Sequence, residues 1–375
     1  MQKRLYILLC ILFLWPLPAY YAAEGPTETQ KLQKEAENTG SVFKKQRRFV
    51  PVPIPIANPT IGKGLAVVGM YLHPRKPEEA DLPTSISGVL GMYTDSESWA
   101  TGVFHEGFYG QDRYRVRGLL GYGIFNLKFY GIGEDSILRD HPIDYEAKTT
   151  ALLPRLLFRL PIKNWFLGAQ YLYMEIDTTF KTSSLLPILP DINIPTTTAG
   201  LGLVGVYDSR NNTLWPTDGT WFEITATDYA EYFGGDFDYQ KYILKFAQYF
   251  PLTNTVTLSY RLDGKFIDGD APFYDLSSLN LRGFAGGRYL DNQAVSAQAE
   301  GRWNFYKKWT ALLFMGAGRI AEEVSDLGNS STNWAGGAGI RYMIAESQKL
   351  NIGIDVTYAD GNTEIYVQIG DWFAN

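Results

Sequence analysis

Alternation without length is the feature that most limits how this chain can fold. Beyond residue 23 it has no apolar run near the ~18 residues that a membrane-crossing helix needs. From Gly62 onward, stretches of about ten residues instead alternate apolar and polar positions between turn residues, the pattern of membrane-barrel strands. Leu350, Ile352, Ile354, Val356 and Tyr358 share one face against Asn351, Gly353, Asp355 and Thr357. Val295, Ala297, Ala299, Gly301, Trp303 and Phe305 oppose Ser296, Gln298, Glu300, Arg302 and Asn304. Val256, Leu258, Tyr260 and Leu262 oppose Thr257, Ser259, Arg261, Asp263 and Lys265. A period of two with one apolar face is a strand.

A soluble sandwich points its apolar face inward and a membrane barrel points it outward, so period alone leaves both open. The aromatics favour the membrane. Trp303, Phe305 and Tyr306 end one strand and Trp309 begins the next, while Tyr249 and Phe250 end another and Trp372 and Phe373 end the chain. Aromatic rings at strand ends are what membrane girdles require. The N-terminus agrees: Lys3 and Arg4, then an apolar run from Leu5 to Trp15, then prolines and Ala22–Ala23, read as a secretory signal peptide. The only cysteine, Cys10, lies inside that run, so the exported chain has no disulfide frame. Loss of Lys3 and Arg4 takes the formal charge from −6 to −8. An acidic chain without a basic stripe excludes nucleic acid as a partner.

The expected organisation is a signal peptide at 1–23, a periplasmic tether and extended lead-in at 24–61, and an outer-membrane β-barrel at 62–375. Four prolines between Val50 and Pro59 argue against a central strand there. Short joins at Pro161–Asn164, Pro251–Asn254, Tyr306–Lys308 and Glu346–Lys349 alternate with long ones at Gly133–Ile143, Thr182–Ile194, Asp268–Asp291 and Glu322–Thr332. Hence the fold class is all-β, a transmembrane antiparallel up-and-down barrel. Its strand count is about 16 if Arg113–Phe129 hides a turn near Tyr122–Asn126, with 12 and 14 as even alternatives.

Three motifs stand in order between Thr196 and Phe373. Asp208-Ser209-Arg210 leads through Pro216 to Gly219; Leu281-Arg282-Gly283-Phe284 sits in the longest loop; a last strand, Glu364–Phe373, carries Tyr366, Trp372 and Phe373. In this order they resemble the bacterial surface antigen superfamily, the Omp-eighty-five type barrels of the outer-membrane assembly insertase and of two-partner secretion. The resemblance implies that the Arg282 loop folds back into the barrel and pairs with an acid of the inner wall. Glu300, on the polar face of the next strand, is the expected partner, because an arginine in a narrow lumen needs a counter-charge. Where the family often has an acid, Phe314-Met315-Gly316-Ala317-Gly318 has Gly316. The lock on Arg282 is therefore expected to be weaker or differently built. The tether is too short for the periplasmic POTRA domains of well-known members, so the resemblance is to a barrel-only subgroup.

The expected function is assembly or translocation of protein or lipid through a seam between first and last strands. The alternative is a passive pore, or a structural or dimerising barrel. Lipids, lipopolysaccharide, the machinery that inserts barrels, an unnamed client and a second copy are the partners this implies, in the outer membrane of a Gram-negative bacterium. No enzyme, cofactor or metal is expected. His73, His105 and His141 are the only histidines, and no serine stands at a spacing that joins one of them in a catalytic pair. The loop acids Glu134, Asp135 and Asp140, diluted by Arg139, read as a solvated cluster.

Overall fold

The computed structural model describes residues 49–74, 85–184, 190–345 and 349–373. Residues 1–48, where a signal peptide and most of a tether are expected, lie outside them. The large sheet has seventeen strand segments among the described residues, two of which are one strand broken by a bulge at Leu153–Pro154. Sixteen strands result. They are β1 (Phe49–Asn58), β2 (Gly62–Leu72), β3 (Ile86–Thr94), β4 (Trp99–Tyr109) and β5 (Tyr114–Phe129). Next come β6 (Ile143–Leu152 and Arg155–Arg159), β7 (Trp165–Phe180), β8 (Ile192–Asp208), β9 (Gly219–Tyr229), β10 (Tyr239–Pro251) and β11 (Val256–Gly269). The last are β12 (Gln293–Tyr306), β13 (Trp309–Ala321), β14 (Asn333–Ala345), β15 (Leu350–Ala359) and β16 (Asn362–Ile369).

The count of sixteen is reached by a different allocation from the one expected. Tyr114–Phe129 is one uninterrupted strand, with no turn at Tyr122–Asn126. Its glycines pair within the sheet, Gly121 with Ala151 and Gly123 with Thr149, and the backbone N–H of Asn126 donates to Ser98 Oγ. The strand that makes the number even is β1, in the proline-rich lead-in. It pairs with β2 from Phe49↔Tyr71 to Asn58↔Gly62. Proline is tolerated there because β1 is an edge strand, paired on one side only.

Each strand pairs antiparallel with the next from β1 round to β16. The sheet closes where β16 comes beside β1. Among the described residues, no register of paired residues joins those two strands across the seam.

The direction of the side chains decides between the two all-β readings. In β15, Asn351, Asp355 and Thr357 are fully buried, while Ile354, Val356 and Tyr358 are 50%, 47% and 62% exposed. In β11, Ser259, Arg261, Asp263 and Lys265 are buried and Leu258 and Leu262 exposed. Polar groups face in and apolar groups face out, the inverse of a soluble barrel and the pattern of a membrane barrel. Trp303, Phe305, Tyr306 and Trp309 lie exposed at the short-turn end, as a girdle does. Tyr249 and Phe373 do not belong to that girdle, since both are buried inside.

The lumen has two unlike walls. From β2 to β7 it is lined by Ala66, Val68, Leu90, Met92, Phe104, Phe125, Leu127, Met174 and Ile176. From β9 to β15 it is lined by charged and amide side chains. The connection 270–292 folds into this space, and its Leu276 and Leu290 pack on the apolar wall.

Candidate functional site

On the polar wall three arginines and three acids meet. Arg282, at the tip of the folded-in loop, is 1% exposed. Its Nη2 donates to Glu300 of β12 and its Nη1 to Asp355 Oδ2 of β15 at 3.1 Å. Arg341 of β14 holds the same Asp355 through two bonds of 2.6 and 2.8 Å. Arg302 of β12 donates Nε to Glu300 Oε1 at 2.6 Å and Nη2 to Asp371. The remaining Arg302 nitrogen, Nη1, donates to the Pro216 carbonyl at 3.1 Å. Tyr249 donates to the other Asp371 oxygen at 2.5 Å. Charge balances within the cluster, and each carboxylate accepts at least two hydrogen bonds. This is the condition under which buried ions are tolerated, because desolvation of each is offset by an opposite charge in a low dielectric.

Sequence position explains the convergence. Glu300 and Arg302 are two apart on one strand and therefore point the same way. Asp355 sits in register with Gly339 of β14, and a Cβ built on Gly339 would lie 1.9 Å from Asp355 Oδ1. A side chain there would evict the carboxylate.

The same logic accounts for Gly316. Its Cβ would meet Leu281 Cδ2 at 2.8 Å and Gln298 Cγ at 2.6 Å. The space an acid at 316 would need is filled by the loop itself. The second acid comes from β15 instead, so the lock is differently built rather than unbuilt. Phe314 remains, with its ring 3.8 Å from the Arg282 guanidinium carbon, within cation–π range.

Gly283 has φ +119°, a conformation that side chains resist, and its Cβ would press on Ala359 and Ala335 at 3.0 and 3.2 Å. Its N–H donates to Tyr366 Oη at 3.1 Å, and that hydroxyl donates onward to the Phe284 carbonyl at 3.4 Å. Phe284 and Leu281 are buried with Tyr289 and Ile320.

The mid-barrel motif sits in the connection between β8 and β9. Asp208 and Arg210 form a two-bond pair of 2.8 and 2.8 Å. Asn212 Oδ1 accepts from the N–H groups of Leu214 and Trp215, shaping a turn that aims the Pro216 carbonyl at Arg302. Gly219, at φ +102°, lets the chain re-enter the sheet.

The C-terminal motif is placed otherwise than expected. The last strand ends at Ile369, not at Phe373. After Gly370, at φ +69°, the chain turns into the barrel. Tyr366 and Gln368 face inward from β16. Trp372 and Phe373 lie beyond the strand, and Phe373, at 0% exposure, packs with Val204, Val206, Trp221, Ala247 and Tyr249. Arg261, paired with Asp263, donates to the Trp372 and Phe373 carbonyls at 3.1 and 3.3 Å. Asp371, Arg341 and Tyr249 were missed by the sequence reading. Arg341, two residues after Gly339 on β14, and Asp371, directly after Gly370 beyond β16, are ions next to small residues, the one signal that points to them.

Higher in the barrel the same loop touches both flanks of the seam. Gly286 N–H donates to Thr60 Oγ1 in the turn between β1 and β2 at 2.7 Å. Arg288 Nε and Tyr289 Oη both reach Asp360 Oδ2, in the turn between β15 and β16, at 2.9 and 2.6 Å. Nearby, Glu134 accepts from the Ser331 N–H, Arg139 donates to the Gly133 carbonyl, and Asp140 is exposed.

Away from this centre, at the short-turn end of β2–β4, Ser87 Oγ lies 2.8 Å from both His73 Nε2 and His105 Nδ1. A serine and a histidine thus do meet. The other His105 nitrogen, however, bonds the Tyr109 hydroxyl at 2.9 Å. Glu106 alternates to the lumen and pairs with Arg117 at 2.6 Å. His141 is exposed in the connection between β5 and β6.

Comparison with known proteins agrees with this geometry. The family model described as the Omp85 superfamily domain matches residues 140–373. No curated protein matches the chain. Among solved structures, CdiB from Escherichia coli superposes with a TM-score of 0.62 at 13% identity, over 86% of this chain and 62% of that one. BamA from Haemophilus ducreyi lacking POTRA domains 1-3 gives 0.58 at 16% identity, over 85% and 68%. CdiB from Acinetobacter baumannii gives 0.53 at 12%, over 86% and 59%. With the inward-folded Arg282 loop, the inverted barrel and a match over more than half its length, this chain belongs to the Omp85 superfamily.

Proposed function

We propose that this barrel sits in the outer membrane of a Gram-negative cell and passes or assembles a protein or lipid client through the seam between β1 and β16. One observation carries the reading. A single loop, 281–289, hydrogen-bonds to both flanks of a seam that has no paired register of its own. Arg282, anchored to Glu300 and Asp355, sets that loop's depth, so the ion cluster is a lock on the seam. Residues 1–23 act as the export signal and 24–48 as a tether. The connection 270–292 folded into the lumen favours this reading over a passive pore, and the chemistry is binding and release rather than catalysis.

The test is a disulfide across the seam. Ala57→Cys is combined with cysteines scanned from Asn362 to Ile365, in cells whose own copy is deleted. Oxidation should give cells that behave as the deletion does, and reduction should return them to the complemented state. A cross-linked barrel that complements fully would rule the seam out as the route and leave the structural reading.

A further inference from the structure

Pro51, Pro53 and Pro55 alternate along β1 and so share one side of the strand. In an antiparallel ladder each residue's N–H and C=O point to the same side, and the side alternates along the chain. A proline has no N–H to donate. The ladder to β2 is continuous over Pro51↔Gly69, Pro53↔Val67 and Pro55↔Leu65. Its reciprocal bonds must therefore come from the other set, the backbones of Val50, Val52, Ile54 and Ile56. The backbone groups of the three prolines face away from β2, toward β16. From 51 to 55 the seam edge of β1 thus offers carbonyl acceptors and no donors, and the three exposed rings project outward beside it.

We propose that β1 is closed to strand addition, so that an extended polypeptide client entering the seam pairs with the β16 edge alone. This rests on the seam reading above and names the edge it uses. A strand laid against β1 would leave three carbonyls facing proline rings. Within a bilayer, where water cannot replace the missing partners, unpaired backbone groups are the dominant penalty. β16 carries no proline between Asn362 and Ile369 and keeps both donors and acceptors on its free side. The same missing donors explain why β1 and β16 lie together without a register.

The experiment uses the full chain purified in lipid nanodiscs and a photoreactive peptide copying Asn362–Ile369, the strand that lies beside β1. Labelling of β1 is read by mass spectrometry in wild type and in the Pro51→Thr/Pro53→Thr/Pro55→Thr variant. Restoring three donors should raise labelling of β1 by roughly tenfold or more, since each net hydrogen bond is worth a several-fold change in occupancy. Equal labelling of the two proteins, or strong labelling of β1 in wild type, would overturn the proposal. If the triple variant does not fold, Pro53→Thr alone should raise labelling roughly threefold, and no rise would again overturn it. Labelling reads pairing capacity without transport, so a failure here is distinct from a failure of the seam cross-link to affect cells.

Discussion

Arg282 of the inward loop meets Asp355 of β15 at 3.1 Å, in a site where β13 presents the Phe314 ring and Gly316 but no acid. Asp355 already holds Arg341, so one carboxylate serves two buried guanidinium groups. Asp355→Asn should lower unfolding stability by about 3–5 kcal/mol, the usual consequence of stranding one side of a buried pair. Urea titration in lipid vesicles checks this. Adding Gly316→Asp to that variant should not rescue it, because Leu281 occupies the room the new side chain needs.

Gly283→Ala should lift the loop tip out of its seat. The residue lies at φ +119° and its Cβ would press on Ala335 and Ala359. A cost of about 1–3 kcal/mol is expected from the strained backbone. Limited proteolysis within 281–289, slow in wild type, should become rapid.

Tyr366→Phe removes the hydroxyl that accepts from the Gly283 N–H and leaves a buried donor unsatisfied. The expected loss is about 1–3 kcal/mol. Combined with Gly283→Ala, the two effects should fall short of additive, since both act on one contact.

Asp371→Ala should destabilise more than its place near the chain end suggests. It takes the acceptor from Arg302 Nη2 and from the Tyr249 hydroxyl together, inside the barrel. A loss of about 3–5 kcal/mol is expected, while Asp140→Ala, at an exposed loop site, should change stability by less than about 0.5 kcal/mol.

Ser87 should remain unlabelled by a fluorophosphonate probe. It touches two imidazoles, but the far nitrogen of His105 is held by a phenol rather than a carboxylate. An orienting acid is what gives a triad its basic imidazole. Stoichiometric labelling of Ser87, lost in Ser87→Ala, would contradict the non-enzymatic reading.

The parts of the molecule legible in the sequence are those where one face is polar. Glu300 and Arg302 alternate with Ala297, Ala299 and Trp303, so β12 could be placed and its inner face known. β2 could not be read this way, because Ala66 and Val68 face the lumen while Leu65 and Val67 face out. Both faces are apolar and the period vanishes. β3 shares this, with Leu90 and Met92 inside and Val89 and Tyr93 outside, and both strands belong to the wall against which Leu276 and Leu290 pack. Proline hid β1 for a different reason: the rule against proline in sheets assumes two neighbours, and this strand has one. Within the site, Arg282 and Glu300 lie 18 residues apart and could be guessed as partners. Asp355 comes from β15 and Asp371 from the segment after β16, and only closure of the barrel brings them to the same cluster. The ending at Trp372 and Phe373 reads as strand because Ile365, Val367 and Ile369 alternate with Tyr366 and Gln368, but Gly370 turns the chain before the last two aromatics are reached.

Amide hydrogen exchange of the wild-type barrel in lipid nanodiscs tests the account most directly. A seam without its own backbone register predicts that amides of β16, Asn362–Ile369, exchange at least about tenfold faster than those of the doubly paired β14 and β15, since their free side lacks a ladder and local opening is easier. Protection of β16 equal to that of β14 and β15 would mean a seam zipped like every other strand pair, and would contradict a barrel that opens there.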